Sequence, residues 1–214
     1  MIEDFFTWKK KKFQKLIRKY DKEEKENKEK RKYYEDFNKL CNDLDRDGLT
    51  KENLIRIGRW KNNYTNRIKH HLEKNNEEDL QELAKKIKKD RKSSQNDPLG
   101  TLEGLLNKLI YEKAKNKGIK GVQIPMASAI LTMMFPDEYF VIDYKIVNSF
   151  LLEKANTAKE HIKNQSNNAV NMENFKECYD KIGELSKNHG LTPRDIEKAI
   201  WMWYTKIEGE VKKG

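Results

Sequence analysis

Along most of this chain apolar residues return every third or fourth position, the spacing that gathers them on one side of an α-helix. Leu80, Leu83, Ala84 and Ile87 follow it, and so do Leu102, Leu105, Leu106, Leu109 and Ile110. Alternating strand patterns are nearly missing, and ten Gly and four Pro are too few to turn a sandwich or propeller every ten residues or so. The pattern predicts an all-α fold. Charged residues fill 37% of the 214 positions, but four Trp, nine Tyr, eight Phe and several apolar stretches supply enough core to exclude a disordered chain.

Forty-five Lys and Arg against 35 Asp and Glu leave a net charge of +10. That excludes an acidic calcium buffer and suits a polyanionic partner. Residues 2–42 read as helix, with Phe5, Phe6, Trp8, Phe13, Leu16, Ile17 and Tyr20 as a ragged apolar face. The stretch DKEEKENKEKRK that follows mixes both signs at i,i+4 spacing and can persist as an exposed helix. Lys9 to Lys12, Lys15, Arg18 and Lys19 cluster beside Trp8 and Phe13, a patch suited to a phosphate backbone and also to a solubilising helix end. The opening MIEDFFTWKKKK has no signal-peptide h-region, and no apolar run approaches the ~18 residues of a membrane span. Cys41 and Cys178 stand far apart with no CxxC or Cys/His cluster, so the expectation is reduced thiols in a cytoplasmic protein, with no metal held by cysteine and no membrane partner.

Asp43, Asp45, Asp47 and Gly48 match the first half of an EF-hand loop, but Leu54 stands where the bidentate Glu belongs. A turn with Thr50 as N-cap of the next helix explains these residues better. Helices are expected from Thr50 through Arg59-Trp60-Lys61, over 61–74 with Tyr64, Ile68 and Leu72 inward and His70 and His71 outward, and over 77–90. A loop at 91–100 precedes a helix over 99–116 that stops at Gly118. A polar connection (NTAKEHIKNQSNNAVN) then separates the middle of the chain from helices at 172–187 and from about Thr192 to Tyr204.

The central stretch says most about function. A short hairpin centred on Gly121, within Ile119-Lys120-Gly121-Val122-Gln123-Ile124, leads into a helix that Pro125 can start and that carries the small residues Ala127, Ser128 and Ala129. An apolar step, Tyr139 to Ile142, then reaches Asp143, followed by Tyr144-Lys145-Ile146-Val147. This order of helix, hairpin, helix and Asp resembles the helix-hairpin-helix DNA glycosylase superfamily, the endonuclease III-like and alkyladenine-glycosylase-like proteins. The resemblance covers about 105–150 specifically and the helical context from about 33 to 204, with the hairpin motif at about 105–134. It implies a two-lobed helical domain over 33–214, and the basic helical arm over 1–32 lies outside it.

By that resemblance Asp143 is the catalytic carboxylate, which also reads as an N-cap for the helix from Tyr144. Lys120, Gly121, Val122, Gln123, Ile124, Lys145, Arg59 and Lys61 are the DNA-binding residues. Trp60, Tyr64 and Tyr144 are candidates for the base pocket, with Trp201, Trp203 and Tyr204 as further aromatic candidates, and aromatics at helical spacing also read as core. Where bifunctional members keep a Schiff-base lysine this chain has Pro125, and Gln123 replaces the second hairpin glycine. No Cys-rich cluster follows, so an iron–sulfur centre is not expected, nor any other cofactor. The implied activity is monofunctional hydrolysis of the N-glycosidic bond of a damaged or modified base in duplex DNA, a base-excision step of DNA repair. The alternative is a non-catalytic nucleic-acid-binding protein on the same scaffold.

Overall fold

Ten α-helices and no strand form among the described residues, as the apolar spacing predicts. The computed structural model describes residues 4–30, 36–61, 66–93, 98–112, 117–152, 162 and 170–213. Tyr64, the middle of the 91–100 loop and most of the polar connection before α9 lie outside them. A single 3-10 turn at Phe5–Thr7 leads into α1 (Lys10–Lys30), and α2 (Phe37–Asp47), α3 (Lys51–Trp60), α4 (Asn66–Glu73) and α5 (Glu77–Ser93) follow. Next come α6 (Pro98–Leu109), α7 (Ile124–Met134), α8 (Tyr144–Leu152), α9 (Met172–His189) and α10 (Pro193–Lys213). The helix expected over 2–42 is broken into three pieces: the 3-10 turn that Asp4 caps ends at Trp8, whose backbone is extended, and Asp36 caps a new start at α2 with a side-chain oxygen.

The chain folds as two compact units, one of Met1–Glu29 with Asp137–Gly214 and one of Lys30–Pro136. In the first, α8, α9 and α10 pack on one another. The sequence reading sets residues 1–32 apart as an arm, whereas residues as far as Glu29 belong to this unit. The cause is aromatic. Phe5 and Phe13 are fully buried and Trp8 nearly so, and Phe5 meets Trp8, Phe150 and Trp203 edge-on at 5.0, 5.3 and 4.9 Å between ring centres. Further along α1, the Tyr20 hydroxyl accepts from the buried Arg194 guanidinium at 2.9 Å, and Arg194 also pairs with Glu197.

In the second unit α7 is the central rod, with every residue from Ala127 to Met133 buried and α2, α3 and α6 packed around it. The small side chains Ala127, Ser128 and Ala129 permit that close approach. Thr50 caps α3 by accepting from the Asn53 N–H at 3.0 Å, as its position predicts. The aspartates of the half EF loop face cations. Asp43, nearly buried, accepts from Arg56 at 2.7 Å and Arg46 at 2.9 Å, which holds its carboxyl below the usual range, and Asp45 meets Lys88 at 3.2 Å. Cys41 and Cys178 form no disulfide among the described residues, and Cys178 is buried. No helix among the described residues is long and apolar enough to cross a membrane.

Candidate functional site

Helix α6 ends at Leu109, well short of the end expected at 116, because Ile110 and Glu112 bridge instead to Ile119 and Lys117. The Tyr111 N–H donates to the Val122 carbonyl at 3.1 Å, the Glu112 N–H to Lys117 at 2.9 Å, and the Ile119 N–H back to Leu109 at 3.0 Å. Gly118 (φ 81°) and Gly121 (φ 87°) make the two reversals in the left-handed region that side chains disfavour. A Cβ on Gly118 would run into the Ile110 carbonyl, and one on Gly121 would lie 3.0 Å from the His71 Cβ. His71, expected outward, therefore lies half-buried beneath the tip of the Ile119–Val122 turn.

Asn75, just past α4, fixes that tip. Its Oδ1 accepts from the Lys120 N–H at 2.8 Å, and its Nδ2 donates to the carbonyls of Leu72 at 2.8 Å and Lys120 at 3.2 Å. Val122 is buried with its N–H on Ile119. The N–H groups of Gly121, Gln123 and Ile124 have no partner among the described residues, and Gln123, at the N-cap of α7, makes no side-chain capping bond. Removing the Asn75 amide strips the Lys120 peptide of both partners. Asn75→Ala should cost about 2 kcal/mol in urea unfolding of this unit and speed hydrogen exchange at the Lys120 amide; unchanged exchange there would show that the tip is held otherwise.

In the first unit, Tyr139 to Ile142 are all buried and set Asp143 half-buried at the start of α8. Its Oδ1 accepts from the N–H groups of Lys145 at 2.9 Å and Ile146 at 3.2 Å, so Asp143 is the N-cap of α8. The Tyr144 hydroxyl is pushed up to about 12 by burial first and then by the negative charges of Glu208 and Asp143. The Lys145 ammonium turns inward, donating to Thr205 Oγ1 at 2.9 Å, 3.7 Å from Glu208 and 4.1 Å above the Trp201 ring. Burial lowers its pKa, with Glu208 and Asp143 opposing the shift. Trp201 meets Tyr20 edge-on at 5.6 Å, and burial raises the Tyr20 hydroxyl, with the Asp143 charge among the smaller causes.

Asp143 thus shares its unit with Tyr20, Tyr144, Lys145, Trp201 and Glu208. Lys145, assigned to the DNA backbone in the sequence reading, is occupied by α10 instead. Trp203 and Tyr204 are core residues, whereas Trp201 is only half-buried. In the other unit Arg59, Trp60 and Lys61 end α3, where the half-buried Trp60 ring lies 5.5 Å from Phe37. Sequence reasoning missed Asn75, Tyr20 and Glu208. Each acts through a partner at least 45 positions away (Lys120, Arg194 and Lys145), so no local pattern marks it.

No protein-family model matches the chain, and no curated protein or solved structure matches it.

Proposed function

We propose that this protein acts as a monofunctional DNA glycosylase, hydrolysing the N-glycosidic bond of a damaged or modified base with Asp143 as the catalytic carboxylate. The observation that carries the reading is Asp143 itself. It is a half-exposed acid at the end of a buried apolar step, oriented by two backbone N–H groups. Breaking the bond builds positive charge on the deoxyribose, and an adjacent carboxylate stabilises that charge and orients the attacking water. Hydrolysis is favoured over lyase chemistry because Pro125 offers no amine and the Lys145 amine is taken up by Thr205 and Glu208. Hairpin residues Gly121, Gln123 and Ile124 have N–H groups to offer a phosphate.

The test is incubation of the full chain with duplexes that each carry one lesion base, followed by alkali. Strand breaks at one lesion class are expected. A folded protein that opens none of them removes the proposal. A second reading, nucleic-acid binding without chemistry, is favoured by one observation: Asp143 Oδ1 already serves two amides as a helix cap. It expects binding that falls steeply with salt and ignores Asp143.

A further inference from the structure

The solvent face of α1 carries a feature that neither the catalytic carboxylate nor the hairpin uses. At 100° per residue, Lys11, Lys15, Arg18, Lys22 and Lys25 fall on one strip of this helix, and all five are exposed. Phe13, Leu16, Ile17 and Tyr20 lie on the opposite side, where Phe13 is fully buried and Tyr20 holds Arg194. The side chains of Lys11, Lys15, Arg18 and Lys25 have no ion-pair or hydrogen-bond partner among the described side chains. Lys22 has one loose contact, to Glu26 at 3.8 Å. Among the other acids of the helix, Asp21 is bonded to Lys198 at 2.9 Å and Glu23 to Lys19 at 3.7 Å, Glu24 falls on the opposite side, and Glu29 falls on the line of the strip one turn past Lys25. Five cations therefore line up over roughly 21 Å at 1.5 Å per residue, with Glu26 at their edge and Glu29 closing the line beyond Lys25.

We propose that this strip of α1 is a track for the phosphate backbone of duplex DNA, built into the same unit as Asp143. The choice of DNA as ligand rests on the glycosylase reading; the choice of a linear polyanion rests on the strip itself. A membrane surface fits poorly, because the apolar side of α1 that would enter the lipid is buried in the protein. A protein partner fits poorly too, since the strip offers no aromatic or aliphatic anchor. One DNA strand presents a phosphate every ~3.4 Å of rise, so the strip spans about six of them.

The test compares the full chain with its triple variant Lys11→Gln, Lys15→Gln, Arg18→Gln. The control is a charge-matched variant on α5, Lys85→Gln, Lys86→Gln, Lys89→Gln, three exposed lysines of the other unit. Anisotropy of a labelled lesion-free duplex is followed from about 50 to 200 mM salt. Each lost phosphate contact removes about 0.9 from the log–log slope, so the α1 variant should be shallower by about 2.7. Its affinity deficit should then shrink about 40-fold across that range. The α5 variant should keep the wild-type slope.

Equal slopes for wild type and the α1 variant, or an equal loss in both variants, overturn the proposal. So does a defect seen only with phosphatidylserine vesicles, or the failure of the wild type to bind any duplex at low salt. A wild type that binds with the expected slopes yet releases no base leaves the track standing and removes only the glycosylase reading.

Discussion

Replacing Asp143 by asparagine is expected to cut base release at least ~100-fold while leaving α8 in place. The two halves of this expectation separate the roles that the side chain can hold. As an N-cap, Asp143 needs only an oxygen that accepts from the Lys145 and Ile146 N–H groups, and an asparagine amide oxygen supplies one. Asn and Asp rank together as caps, so stability should move by less than about 0.5 kcal/mol. As a catalyst the residue needs its negative charge and its basicity, and the amide has neither. Asp143→Ala, by contrast, should lose the cap as well, at about 1 kcal/mol. Single-turnover cleavage of the lesion duplex, beside thermal melts of both variants, gives the comparison. If the Asp143→Asn protein released base at the wild-type rate, Asp143 would be a helix cap and nothing more.

How far the sequence could be read follows the range of the forces involved. Thr50 as a cap was legible because its partner, Asn53, lies three residues away. The helices α5, α9 and α10 were legible because their apolar spacing is local, although α10 continues past Tyr204 to Lys213 along a polar end. The end of α6 was not. Ile110 continues the apolar rhythm, and only the pairing of Tyr111 with Val122 draws the backbone out of the helix. Around the candidate site the same division holds. The acid at 143 and its capping geometry were visible in the Ile142-Asp143-Tyr144 context, but the inward turn of Lys145 depends on Thr205 and Glu208, some sixty positions on.

The N-terminal segment is the clearest case, and it carries the largest stability effect expected in this protein. From sequence, Phe5, Trp8 and Phe13 look like a ragged face on a basic arm, because what would cover them cannot be seen. Phe5→Ala should destabilise the unit containing Asp143 by about 4 kcal/mol. The Phe5 side chain is fully enclosed, and its ring contacts both α8, through Phe150, and α10, through Trp203. Edge-to-face pairs of this kind add to the loss of apolar burial. Three of the four tryptophans, Trp8, Trp201 and Trp203, lie in this unit, so urea unfolding of a Trp60→Phe background followed by tryptophan fluorescence reports on it. Lys9→Gln, on the exposed side of the same segment, should change the midpoint by less than about 0.5 kcal/mol. Because α8 and α10 also hold Asp143, Lys145 and Glu208, loosening the wedge between them should lower base release at temperatures well below global unfolding. A Phe5→Ala protein that loses under about 1 kcal/mol would mean that the segment is only laid against the helices, and the separate arm read from the sequence would be the better description.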